Sequence, residues 1–164
     1  MKTLILALGN PIVSDDGVAH EVADRLEKSL HQSSTPERQF DIVKSSAATM
    51  DIIPKLAGYD QLVVLDAVQL GTVPVGTVHQ FSLADLASTV RSSSPHDTNF
   101  ATALQMGKEW GYYIPSDIRI FGIEVKELSI FSENFTPEVE KKIDKIVENI
   151  LSNLTANPNP GDQQ

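Results

Sequence analysis

The sequence contains no cysteine, which excludes a disulfide framework, a thiolate metal site and a cysteine nucleophile. It also lacks any apolar run that approaches the ~20 residues of a membrane-spanning helix. Acidic residues number 22 against 13 lysines and arginines, and the formal net charge is −9. Because nucleic acids and anionic membranes attract basic faces, we expect neither as a partner. No secretory leader precedes the first short apolar run, which follows Met1 and Lys2, so the expected location is the cytoplasm.

The length of 164 residues fits one domain with its own hydrophobic core. No internal repeat divides the chain, and we predict a single domain over residues 1–154. The remaining segment, residues 155–164, is rich in asparagine, proline and glycine. Because it has almost no apolar side chain to bury, we predict a disordered tail.

The opening stretch combines a strand, a turn and the start of a helix. Leu4–Leu8 is a short, continuously apolar run that ends at Gly9-Asn10-Pro11, as is typical of a strand covered on both faces. After Gly17, apolar residues recur every four positions, which predicts an amphipathic helix: Val18, Val22, Leu26 and Leu30. Ligands of open α/β sheets bind beyond the carboxyl ends of the strands. The acids Asp15 and Asp16 are therefore predicted to lie at the functional edge.

Two interpretations of this acid pair are open at this point. Ser14 or Asp15 is a suitable cap for the helix that follows. Capping needs only one side chain, and two adjacent carboxylates repel each other unless a cation, a proton or a hydrogen-bond donor compensates. A functional role for Asp16 and a structural one are therefore both retained.

Alternating strand and helix patterns occupy the rest of the chain. Strands are predicted at Phe40–Val43, Gln61–Val68, Gly76–Phe81 and Ile118–Ile123, and helices at Met50–Leu56, at Leu83–Ala87, after His96 as far as Gly111, and as one long helix from Thr136 to Leu154. The close connection between the strands that end at Val68 and begin at Gly76 predicts antiparallel directions. The expected fold is a three-layer α/β/α sandwich around a mixed, mostly parallel sheet of about five strands. Four side chains are expected at the surface: His79, Glu124, Lys126 and Glu127.

Two further polar residues follow apolar segments in positions that suit a site. Asp66 comes near the end of the most apolar strand, where a carboxylate must reach the rim or face a partner; the alternative is an acid bonded to the backbone at the start of a loop. His96 precedes a helix whose dipole favours a neutral imidazole, which serves as a base or a ligand. A solvated loop histidine is the alternative.

Asp16, Asp66 and His96 together form an oxygen and nitrogen donor set. Such a set suits borderline divalent ions such as nickel, zinc, manganese or iron. An acid that acts as a general base without metal is a second possibility for Asp16 or Asp66. No serine has a recognisable base beside it, so the sequence favours attack by water over a covalent nucleophile.

The motifs Gly9-Asn10, Asp15-Asp16-Gly17, Leu65-Asp66-Ala67 and Ser94-Pro95-His96 resemble those of the hydrogenase maturation endopeptidases. The resemblance covers nearly all of residues 3–154. It implies an endopeptidase that removes a carboxy-terminal extension from the nickel-loaded large-subunit precursor of a nickel-iron hydrogenase. It also implies that Asp16, Asp66 and His96 are the metal-binding residues, that the substrate supplies the nickel, and that zinc or cadmium substitutes in vitro.

One motif departs from this family, and two other functions are open. Many members have Asp-Gly-Gly-Thr after the second strand, where this chain has Lys44-Ser45-Ser46-Ala47, so the choice of substrate is not predicted. A phosphoacceptor receiver domain also combines acids after the first and third strands, with Lys126 as a candidate charge partner. A nickel-site chaperone without catalytic activity differs from the peptidase only in turnover.

Overall fold

The computed structural model describes residues 1–33, 35, 38–47, 50–83, 85 and 97–156. The strands are β1 (Lys2–Leu8), β2 (Gln39–Ser45), β3 (Gln61–Val68), β4 (Val78–Phe81) and β5 (Asp117–Glu124). The helices are α1 (Val18–Ser33), α2 (Asp97–Glu109), α3 (Pro137–Glu140) and α4 (Ile143–Thr155), with 3-10 helices at Ser14–Gly17 and Met50–Leu56. The strands form one sheet in the order β2-β1-β3-β5-β4. The predicted α/β fold with a mixed five-stranded sheet is confirmed.

Alternate side chains of the central strands enter two separate hydrophobic cores. On one face, Ile5 and Val63 pack with α1 and α4; on the other, Leu6 and Val64 pack with the 3-10 helix Met50–Leu56 and with α2. The two-residue period of a strand explains this division, since successive side chains point to opposite faces. The helices therefore form a layer on each side of the sheet.

Strand β4 lies at the edge of the sheet. Its antiparallel direction is confirmed, but it pairs with β5 and not with β3. The connection over residues 69–77 is long enough to cross β5, and Gly76 and Thr77 continue the pairing through backbone bonds to Glu124 of 2.8 Å each. Because β5 lies between β3 and β4, the strand joined most closely along the chain is not the neighbour in the sheet.

The ends of two helices differ from the prediction. The segment predicted as one long final helix breaks at Lys141–Lys142 into α3 and α4. There the amide of Lys142 donates to the carbonyl of Val139 (2.8 Å), a tight i to i+3 bond that ends α3. The apolar face continues across the break, with Val139 and Ile143 both buried. Helix α1 continues past Leu30, the last residue of its predicted apolar pattern, and ends at Ser33.

Glu124 is buried, and its predicted surface position is wrong. Only 1% of the residue is exposed, and its Oε1 accepts hydrogen bonds from the amides of Leu70 (3.0 Å) and Gly71 (2.8 Å). The His79 side chain, also predicted at the surface, is 20% exposed, and its Nε2 lies 3.6 Å from Glu124 Oε2. The buried carboxylate thus fixes the turn that follows β3. Lys126 is exposed, as predicted, and forms an ion pair with Glu138.

Several predictions fall on residues that lie outside the described ranges. They include His96, most of the helix predicted at Leu83–Ala87 and residues 157–164 of the predicted tail. Within the described part of the chain, no helix combines the length and the apolar character that crossing a membrane requires.

Candidate active site

Asp16 and Asp66 lie on neighbouring elements of the sheet. Asp16 belongs to the 3-10 helix Ser14–Gly17, which follows the carboxyl end of β1, and Asp66 is the third residue from the end of β3. The strands β1 and β3 are adjacent and parallel, and the 3-10 helix contacts β3. The exposed fractions are 4% for Asp16 and 1% for Asp66. The fold therefore places two desolvated carboxylates at the carboxyl edge of the sheet, where ligands of such folds bind.

The loop after β1 folds back so that Asp16 interacts with its own start. The amide of Asn10 donates to Asp16 Oδ2 over 2.7 Å. Gly9 has φ +149°, and a Cβ added there would lie 2.0 Å from the backbone oxygen of Asp16. Only glycine permits this close approach, because a side chain would collide with backbone that cannot move independently. Gly9 thus determines where the Asp16 carboxylate lies.

Gly9→Ala is expected to displace the Asp16 loop. The added methyl must push the backbone of Asp16 away. We therefore expect the free energy of unfolding to fall by about 1–3 kcal/mol. We also expect a large loss of any activity at this site. Gly58→Ala is the matched control, because Gly58 also has a positive φ (+88°) but no atom within 4 Å of an added Cβ. It should cost stability alone. Chemical denaturation and an activity assay on both variants test this, and normal activity in Gly9→Ala would contradict it.

Ser14, two residues before Asp16, has a strained backbone. Its φ is +38°, and it is the one non-glycine residue with positive φ among those described. The conformation is held by a hydrogen bond from the Ser14 amide to the carbonyl of Ser132 (2.7 Å). Strain of this kind persists only where the surroundings enforce it, and it is frequent at functional sites.

Asp66 combines parts of both sequence interpretations. Its Oδ1 accepts a hydrogen bond from the Ala67 amide (2.9 Å), as expected of an acid bonded to the backbone. However, Asp66 lies inside a fully buried strand and not at the start of a loop. Strand alternation places it on the same face as Val64, which packs with α2. A carboxylate is costly in such surroundings unless a ligand or partner compensates for its charge.

Asp15 has a structural role that the sequence did not reveal. The sequence offers it as a cap for the helix that follows, but the structure places it inside the 3-10 helix Ser14–Gly17, which has no side-chain cap. Asp15 is fully buried, and its carboxylate accepts four hydrogen bonds from the segment between β5 and α3. The donors are the amides of Lys126 (3.2 Å), Glu127 (3.0 Å) and Thr136 (2.7 Å) and the hydroxyl Oγ1 of Thr136 (2.9 Å). No local pattern signals these bonds, because their donors lie more than 110 residues away.

The third predicted site residue, His96, lies outside the described residues. Helix α2 begins at the next residue, Asp97, and its buried residue Phe100 packs on the same face as Val64. Among the residues that the structure describes, no three His, Cys, Asp or Glu side chains form a group that could hold a metal ion. The described part of the site therefore offers two carboxylates, which suit a divalent cation as oxygen donors and leave the remaining positions to other ligands.

Comparisons with known proteins agree with this architecture. The family model described as hydrogenase maturation protease matches residues 21–153. The chain is 23% identical over 155 residues to the hydrogenase 2 maturation protease of Escherichia coli, covering 94% of this chain and 91% of that protein. It is 25% identical over 157 residues to the hydrogenase expression/formation protein HupD of Rhodobacter capsulatus, covering 94% and 72%.

A solved structure shares the fold. The hydrogenase maturating endopeptidase HybD of E. coli superposes with a TM-score of 0.72 at 21% identity, covering 94% of this chain and 92% of that one. The family match begins at residue 21, so it includes Asp66 and His96 but not Asp16. Asp16 is a candidate because it is buried, because Gly9 enforces its position and because its 3-10 helix contacts β3.

Proposed function

Because this chain belongs to the hydrogenase maturation protease family, we propose that it is the endopeptidase that removes the carboxy-terminal extension of a nickel-iron hydrogenase large-subunit precursor. We further propose that the precursor must already carry nickel and that the reaction takes place in the cytoplasm. The E. coli relative named as hydrogenase 2 maturation protease supports the reaction class.

The observation that carries this proposal is the pair of buried carboxylates at one edge of the sheet. Asp16 and Asp66 are shielded from water, and each has one oxygen fixed by a backbone amide. Such carboxylates are preorganised to meet a cation, because they lose little freedom when it arrives. The absence of cysteine from the sequence leaves no thiol to compete for the metal or to attack the peptide.

In the proposed mechanism the chain binds the precursor so that its nickel site meets Asp16 and Asp66. The two side chains provide oxygen ligands, and His96 is proposed as the third ligand, as neutral imidazole. Nickel, which here is part of the substrate, polarises the scissile carbonyl and activates water. The carboxylates hold the peptide and the water in place. As the water oxygen bonds to the carbonyl carbon and the C–N bond breaks, one carboxylate takes the proton from the water and passes it to the departing amine. Cleavage thereby depends on correct metal insertion.

We expect a single cut in the nickel-loaded precursor and none in the nickel-free form. The test is to mix the purified protein with each form and to follow the carboxy-terminal mass by mass spectrometry. Equal cleavage of both forms would show that nickel does not control the reaction, although the chain would still be a peptidase. No cleavage, combined with binding of the loaded precursor, would favour the chaperone without catalytic activity.

The receiver alternative is not supported. Its sheet is wholly parallel, whereas β4 here is antiparallel to β5, and Lys126 forms an ion pair with Glu138. Labelling with a small phosphodonor should leave Asp66 unmodified. Phosphorylation of Asp66 would reverse this conclusion.

A further inference from the structure

Exposed large apolar side chains occur at both edges of the sheet. At the carboxyl edge lie Ile12 (49% exposed), Ile130 (58%) and Phe131 (80%), which we call the apolar rim. A second group, Trp110, Tyr112 and Tyr113, lies shortly before β5 and so at the opposite edge. Of these two groups, the apolar rim is the one that belongs to the loops beside Asp16. Exposed apolar groups of this kind mark interaction sites in soluble proteins.

Two backbone hydrogen bonds bring the members of the apolar rim together. Val13 and Ser132 form a parallel β-bridge, in which Ser14 donates to Ser132 (2.7 Å) and Ser132 donates to Ile12 (3.1 Å). The residues that precede this pair are Ile12 and Phe131. Residues at equivalent positions of a parallel pair share one side of the ribbon, so Ile12 and Phe131 lie on the same side of this bridge; Ile130 is the residue before Phe131.

The apolar rim is held rigidly beside the candidate active site. Asp15 binds the amides of Lys126 and Glu127 before the rim and that of Thr136 after it. Asp15 is also the neighbour of Asp16, so one buried carboxylate fixes the distance between the rim and the acid pair. A rigid apolar surface loses little conformational entropy when a partner binds.

Acidic residues outnumber basic ones in the segment that contains Ile130 and Phe131. Lys126 is the only basic residue between Val125 and Phe135, and its ammonium group forms an ion pair with Glu138. Glu127 and the exposed Glu133 add two further acids to this segment, in a chain of net charge −9. A ligand with both an apolar side chain and a basic group would bury the apolar rim and would also be attracted to the acidic residues of this segment.

We propose that the apolar rim docks the carboxy-terminal segment of the precursor through an apolar side chain flanked by a basic one. This inference rests on the proposed function, because its ligand is the substrate of that reaction. The apolar contact with Phe131 and Ile12 supplies affinity, and Glu127 and Glu133 select the basic neighbour. Ile12 lies in the loop that leads into the 3-10 helix of Asp16, so a segment docked on the rim is held beside that loop.

The test compares Phe131→Ser with Trp110→Ser, a similarly exposed aromatic residue at the opposite edge of the sheet. With nickel-loaded precursor, Phe131→Ser should raise KM about tenfold and leave kcat unchanged, as expected for an aromatic anchor that is remote from the reacting atoms. Trp110→Ser should keep the wild-type KM. Glu133→Gln should raise KM at low salt only, because salt screens an exposed charge.

Precursor binding, measured by biolayer interferometry, separates this inference from the proposed function. Cleavage by the wild type together with an unchanged KM in Phe131→Ser would overturn the docking site and leave the peptidase intact. If the wild type binds the precursor without cleaving it, and Phe131→Ser weakens this binding, the docking site is supported and the proposed peptidase function is overturned. Sedimentation velocity tests a third outcome. If the wild type is a dimer, and Phe131→Ser dissociates it without changing precursor binding, the rim binds a second copy of this chain and the proposal is overturned.

Discussion

Asp16→Asn is expected to reduce cleavage of the nickel-loaded precursor by at least about 100-fold, the range over which a positioned acid or base acts. The substitution removes the negative charge that a cation requires. It keeps an oxygen that can accept the hydrogen bond from the Asn10 amide (2.7 Å in the structure). The fold should therefore survive, and relief of the repulsion between adjacent acids should leave the melting temperature unchanged or raise it. Steady-state cleavage and circular dichroism on the same preparation measure both effects.

This first prediction distinguishes a functional acid from a structural one. A variant that unfolds would assign Asp16 to the structure, and the argument for its role in the site would be wrong. A variant that folds and cleaves at the wild-type rate would exclude Asp16 from the reaction. Asp66→Asn is the companion variant and should also fold without activity. The Ala67 amide donates to one Asp66 oxygen, and the amide oxygen of an asparagine can still accept that bond.

Asp15→Asn should have the opposite result, with a severe loss of stability. The Asp15 carboxylate accepts four hydrogen bonds in a fully buried position. An amide replaces one acceptor oxygen with a donor group that faces other donors. Buried donors left without acceptors cost about 1–3 kcal/mol each, so we expect a loss of about 3 kcal/mol or more in unfolding free energy. For a domain of this size that corresponds to about 6–12 °C in melting temperature.

Thermal and urea unfolding of Asp15→Asn and Asp16→Asn, measured side by side, test this second prediction. The two variants change neighbouring residues by the same chemistry, so each is the control for the other. A stable Asp15→Asn would mean that the loop between β5 and α3 does not depend on this carboxylate. Any activity that remains in Asp15→Asn should be lost on mild heating. When the loop between β5 and α3 detaches from residue 15, the neighbouring Asp16 should lose its position as well.

The sequence predicted the elements whose apolar pattern is local. Helix α1 followed from Val18, Val22, Leu26 and Leu30, all buried, and β3 matched its predicted limits. The candidate residue Asp66 was also identifiable, since an acid in an otherwise apolar strand is conspicuous. Such features are visible because the period of a helix or strand is recorded in consecutive residues.

Long-range pairing was beyond the sequence. Glu124 was expected at the surface together with Lys126 and Glu127, yet it binds the amides of Leu70 and Gly71 more than 50 residues away. The neighbour of β4 was not predictable for the same reason, because a short connection gives the direction of a strand but not which strand enters beside it.

The acid pair shows most clearly what each level determined. The sequence by itself established that two adjacent carboxylates follow the first strand and that no thiol is available. Only the tertiary structure assigned them different roles, because Asp15 meets four donors from a distant loop whereas Asp16 faces back toward Asn10 beside β3. The physical reason is that the environment of a buried carboxylate consists of groups brought together by folding, and their positions along the chain give no local signal of that contact.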